Sequence, residues 1–170
     1  MSVTLLQKIA NRKHTLQDLV RTLRGRSSID PEASEAYAAL IVIRSSGYIE
    51  FSFEKLLEHY STKMSCPGIQ RFIKSTHGRG NNPRPTVLEE RLGRYSEDWR
   101  KQLSDYLDEM SSDGVILNRE ILSNLIARRN TIAHGDSSQV SLAKVFSYAD
   151  FALAFVEELD KIILDGVDRT

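Results

Sequence analysis

Apolar residues recur along the chain at three- and four-residue steps, a helical rather than a strand-like pattern. The stretch "LLQKIANRKHTLQDLVRTL" places Leu5, Leu6, Ile9, Leu16, Leu19, Val20 and Leu23 on such a repeat and predicts a first helix. A second follows Asp30-Pro31, an N-cap residue ahead of a proline suited to the first helical position. It is expected to reach about Tyr60, and its middle, "AYAALIVIRSSGYIEF", is apolar around most of its circumference. That marks it as the central helix. The small Ser45-Ser46-Gly47 step within it would let another helix approach closely, although a glycine inside a helix costs roughly 1 kcal/mol against alanine.

Further along, "TVLE" at Thr86–Glu89 reads as a capping box, opening a helix that carries Leu88, Leu92, Tyr95, Trp99, Leu103 and Leu107. "MSSDGVIL" is a turn, after which Asn118 is expected to cap a helix from Arg119 to about His134. Gly135 then supplies a left-handed stop. The last helix begins at Ser141 and runs to about Leu164, with Val140 and Val145 spaced for a hydrophobic staple. Neither a strand period nor an internal repeat is visible. The expectation is an all-α protein: one domain over residues 1–170, a bundle of four to five long helices plus a short helix.

Composition narrows the function only a little. Lys plus Arg and Asp plus Glu each number 23, so the net charge is zero. A generally basic nucleic-acid coat is excluded, while local patches stay open. No apolar run is long enough to span a bilayer, and the amphipathic N-terminus "MSVTLLQKIANRKH" lacks the apolar core of a signal peptide. Cys66 is the only cysteine, which leaves no intrachain disulfide and no cysteine-based zinc site. A cytoplasmic protein without a membrane partner is expected. One patch does stand out. Between Glu58 and Glu89 there is no acidic residue, while Lys63, Arg71, Lys74, Arg79 and Arg84 are all basic. The heart of this stretch, "KSTHGRGNNPRP", reads as a loop. Lys74, Arg79 and Arg84 are the candidates for contacts with an RNA backbone; the plainer reading is an ordinary surface loop.

The most informative segment is "ARRNTIAHGD" at Ala127–Asp136, where an apolar-periodic run ends in Arg128, Arg129, Asn130 and His134. Arg129 and His134 lie about 140° apart around a helix, so they diverge, whereas Asn130 and His134 are stacked neighbours. Two copies related by a two-fold axis would bring two arginines and two histidines into one cleft. The bland alternative has His134 and the arginines complementing the negative end of the helix dipole. His14, His59 and His77 read as surface or core residues, and Trp99 sits at core spacing. Glu50 and Glu54 follow the "SSGY" step; an exposed salt-bridging role fits them better than polar support of a cleft.

Arg129-Asn130-x-x-x-His134, placed before the last long helix of an all-α chain, resembles the Arg-polar-x(3–5)-His signature of the HEPN (higher eukaryotes and prokaryotes nucleotide-binding) superfamily. "LIVIRSSGYIEFSFEKLLEHY" is similar to the "SGYLE"-type helix of its ribonuclease-like branch in bacterial defence and toxin genes. The resemblance covers roughly residues 36–164. It implies a helical bundle, a homodimer, and often metal-independent cleavage of RNA without any cofactor. Arg129 and His134 would be the catalytic pair and Asn130 the polar residue that orients them. Arg128 also precedes the histidine, at six residues, and is kept as a supporting residue; Arg129 is preferred because Asn130 follows it directly. An antitoxin or regulatory protein is a further partner this branch implies. The alternative is a catalytically silent HEPN module that binds a nucleotide or a partner protein.

The chemistry is consistent with these residues. RNA carries its own nucleophile, the 2′-OH, so an enzyme needs a base, an acid and a charge clamp. Histidine titrates near neutrality and can take or give the proton. A guanidinium grips two phosphoryl oxygens and stays charged. The chain contains neither HExxH nor a clustered carboxylate site that would suggest a metal.

Overall fold

Helix starts written into the sequence set the architecture. In the computed structural model, which describes residues 4–26, 28–66, 68–71, 82–112, 114–135 and 140–165, the Thr4 hydroxyl accepts the Gln7 N–H and opens α1 (Leu5–Arg24). The Asp30 carboxylate accepts the N–H groups of Glu32 and Ala33 at 3.0 and 3.2 Å and opens α2 (Pro31–Met64). Then come α3 (Pro85–Gly93), α4 (Glu97–Leu107), α5 (Asn118–Ala133) and α6 (Leu142–Leu164), the last capped by Ser141. Residues 68–71 add a helical turn. No strand forms among the described residues; Met110 and Leu117 make an isolated antiparallel bridge. The fold is all-α, as the periodicity predicts.

The central helix is α2, which packs most extensively against α6 and α1 and also reaches α5. Ile41, Val42, Ile49, Phe53, Leu56 and Leu57 of α2 join Leu16 and Val20 of α1 and Phe155, Leu159 and Ile163 of α6 in one buried cluster. Ion pairs Lys13–Glu157 and Arg24–Asp150 set α1 antiparallel to α6. Both are substantially exposed, so each contributes at most about 1 kcal/mol; burial of the cluster holds the bundle. Val140 and Val145 both reach that core, in keeping with a staple at the start of α6. No helix among the described residues is long and apolar enough to cross a membrane.

Several local expectations need correction. The helix predicted from Thr86 to Leu107 is two helices, with a turn around Arg94–Ser96. The break carries its own signal: the Ser96 hydroxyl accepts the Trp99 N–H, and Glu97 and Asp98 complement the new N-terminus. Tyr60, Tyr95 and Trp99 pack as an aromatic group at this corner, Tyr60 and Trp99 with ring centroids 4.7 Å apart. The Thr86–Glu89 capping box does not form. Pro85 occupies the first helical position, which puts Thr86 inside α3, and the Glu89 carboxylate instead accepts from Arg119 at 2.8 Å. Asn118 does not cap α5; Leu117 is the N-cap, and the buried Asn118 amide donates to the Tyr106 carbonyl at 3.0 Å. The central helix continues past Tyr60 to Met64. Within the small-residue step, Ser45 and Ser46 are the buried members. Gly47 is not: among the described residues, no atom of another element lies within 4 Å of the position its Cβ would take. It lies along α2 beside the exposed Leu40 and Ile43.

Candidate active site at the end of helix α5

Helix α5 buries one face and leaves its C-terminal turn open. Ile121, Leu122, Leu125 and Ile126 are buried, and beyond them the apolar pattern gives way to Arg128, Arg129 and Asn130. The helix stops where predicted. His134 is the C-cap, its N–H donating to the Asn130 carbonyl at 3.1 Å, and Gly135 follows at φ 88° with its N–H on the Ile132 carbonyl at 3.0 Å. A residue with a Cβ is strained at that φ, so glycine marks the stop.

The side chains at this end are arranged around Asn130. Its side-chain oxygen accepts from Arg129 Nη1 at 3.3 Å and from Asn82 Nδ2 at 3.1 Å. With that oxygen engaged twice, the two amide hydrogens of Asn130 are left as donors. Arg129 and Asn130 are half-buried, whereas His134 is exposed. Arg129 and His134 make no hydrogen bond to each other among the described residues, consistent with their angular offset. Arg128 hydrogen-bonds the Tyr148 hydroxyl of α6. Burial pushes Tyr148 above its ordinary pKa, while the Arg128 charge and hydrogen bond oppose that rise.

Arg84 is the N-cap of α3, exposed, and shares with Asn130 a cleft of about 350 Å³ between α3 and α5. Among the described residues it is the predicted RNA contact that shares a cleft with the motif. Lys74 and Arg79 lie outside the described residues, as does the core of the loop predicted around them. Glu54 is salt-bridged as expected, in a two-pronged ion pair with Arg91 of α3, but the pair is largely buried rather than exposed, because it joins α3 to α2. His14 is exposed and His59 half-buried in α2. Sequence reading missed Asn82, which joins the motif from 48 residues away; the "NNPRP" context announced only a turn.

A family model, RiboL-PSP-HEPN, matches residues 7–165. The chain belongs to the RiboL-PSP-HEPN family. No curated protein and no solved structure matches it. HEPN domains are nuclease-like or nucleotide-binding modules, often ribonucleases and in some cases catalytically inactive. In this HEPN chain the Arg129-Asn130-x-x-x-His134 run occupies the last turn of α5 and its cap, immediately before α6.

Proposed function

We propose that the protein is a metal-independent endoribonuclease of the HEPN type, acting as a toxin or defence effector, with Arg129 and His134 as its catalytic pair and Asn130 orienting the arginine. One observation carries the reading: one end of α5 holds an exposed histidine and, in the same terminal turn, an arginine whose hydrogen-bond partner among the described residues is a neutral amide. An arginine already paired with a carboxylate would have to give up that pair to bind a phosphate. Arg129 has no such pair to give up among the described residues.

In the proposed reaction one histidine accepts the 2′-OH proton as the 2′-oxygen attacks phosphorus. The bond from phosphorus to the 5′-oxygen breaks, and a second histidine donates the proton that the leaving oxygen takes up. Arginine spreads the charge that builds on the phosphoryl oxygens. The products are a 2′,3′-cyclic phosphate and a 5′-OH. Base and acid are both required and each chain offers one motif histidine, so the active unit is a two-fold homodimer whose axis passes near His134. The exposed Leu40 and Ile43 of α2 and the open side of Gly47 give that dimer an apolar helix face to use.

The deciding experiment incubates purified protein with mixed RNA in EDTA and analyses the ends. Cleavage with 5′-OH termini is expected. Loss of activity in EDTA, or 5′-phosphate ends, overturns the mechanism, and binding without cleavage points to the silent module. A tethered dimer with one wild-type and one His134→Ala half is expected to lose far more than half its activity. Half activity would mean that each chain holds a complete site.

A further inference from the structure

The cleft between α3 and α5 is not used by the chemistry just described, yet Asn130 belongs to both. Pro85, Ile126 and Ala127 supply apolar lining, while Arg84, Ser123 and Asn130 supply polar groups. Its 350 Å³ falls within the range of about 300–1,000 Å³ typical of ligand clefts. The polar groups differ in what they can offer. The Asn130 oxygen is taken by Asn82 and Arg129, and its two amide donors make no hydrogen bond among the described residues. The Ser123 hydroxyl donates to the Arg119 carbonyl at 2.8 Å, which leaves its oxygen as an acceptor. Arg119, also part of the lining, is already neutralised by Glu89 and Asp108 at 2.8 and 2.7 Å. Arg84 makes no ion pair among the described residues.

A phosphate alone is a poor match, because much of the lining is apolar and one of its two guanidiniums is neutralised. A flat group with apolar faces and an edge carrying both acceptor and donor fits better, with a negative charge near Arg84. Those are the features of a nucleobase attached to its backbone. We infer that this cleft is a base-recognition subsite, taking an RNA base that flanks the phosphate held at Arg129. The inference rests on the ribonuclease reading for its choice of RNA. The coupling is direct: the same Asn130 side chain that receives Arg129 through its oxygen offers its amide hydrogens to the cleft.

Ala127 and Ser123 are exposed positions of α5 that line the cleft and lie outside the catalytic set. Ala127→Leu and Ser123→Leu fill it while keeping good helix formers at both sites. The test measures binding of fluorescent A-, C- and U-homopolymer oligonucleotides of equal length to the His134→Ala protein, at one salt concentration, with and without each filling substitution. A preference among bases of about tenfold is expected, and either filling variant should flatten it while melting like its parent. Asn124→Ala, also on α5 and exposed but not lining the cleft, should preserve it. An unchanged order and spread of affinities in both folded filling variants overturns the proposal. So does an absence of base preference before filling. The two readings fail separately. Preference removed by filling, in a protein that never cleaves RNA, retains the cleft and ends the ribonuclease reading. Normal cleavage with preference untouched by filling does the reverse.

Discussion

The two ends of α5 use arginine in opposite ways. Near the N-terminus, Arg119 Nε donates to Asp108 at 2.7 Å, and Nη2 donates to Glu89 at 2.8 Å and to Ser104 at 3.4 Å. It ties α3 and the end of α4 to α5, and these hydrogen bonds, Asp108's first, hold its pKa still further above the ordinary arginine value. At the C-terminus the side-chain partner of Arg129 among the described residues is an amide oxygen. The helix and the residue type are the same, and the difference lies in whether carboxylates surround the guanidinium. A neutralised arginine stabilises the fold; one resting on an amide keeps its charge available for an anion. Charge left uncommitted beside a titratable group in an exposed position is a better pointer to function than the presence of arginine alone.

The largest expected effect breaks the C-terminal end. His134→Ala and Arg129→Ala should each lower RNA cleavage by at least about 10²-fold, the usual weight of a general acid–base or a charge clamp. Their melting temperatures should stay close to wild type, because surface changes usually fall within about 0.5 kcal/mol. Arg128→Ala should lose far less activity. A steep fall in Tm for either the His134 or the Arg129 variant would instead assign those residues to the fold.

At the other end the outcome should be reversed, with the cost appearing as stability. Arg119→Ala leaves the largely buried Glu89 without its cation, and a cost of about 1–2 kcal/mol is expected, less than for a fully buried pair. For a chain of this size that is a Tm lower by roughly 3–6 °C, readable by calorimetry. An unchanged Tm would mean that the network contributes nothing and that the contrast between the ends is only apparent.

The smallest effect concerns pH. The hydrogen bond from Arg119 holds the Asp108 carboxyl below its ordinary value of 3.8. A lowered folded-state pKa stabilises the protein above the unfolded value, and that contribution is lost as pH falls through the folded one. Wild-type Tm should therefore drop more steeply below about pH 4 than that of Asp108→Asn, while the two curves run parallel near neutrality. Asp108 is exposed, so the divergence should be small. Parallel curves throughout the acid range would remove Asp108 from the network.

How much of this was legible in the sequence follows the range of the interactions. Helix identity, the Asp30-Pro31 and Ser141 starts and the Gly135 stop depend on residues within one turn of each other, and all were readable from the chain. So was the grouping of Arg129, Asn130 and His134, which share one helix end by spacing alone. The break at Ser96 was a local cap and was legible in principle, but in two other failed readings a distant partner outbid the neighbour. Glu89 leaves Thr86 for Arg119, and Asn118 reaches the Tyr106 carbonyl instead of capping its own helix. Packing also decided which way small residues point: Ser45 and Ser46 face the core while Gly47 faces outward. The sequence by itself determined an all-α chain with a polar cluster at the end of its penultimate helix, because backbone periodicity and capping are short-range. Only the tertiary structure decided which arginine is neutralised, that Asn82 meets Asn130, and that Arg84 and Asn130 line one cleft. Those outcomes depend on helices far apart in the chain packing side by side, and no local pattern encodes which groups then meet.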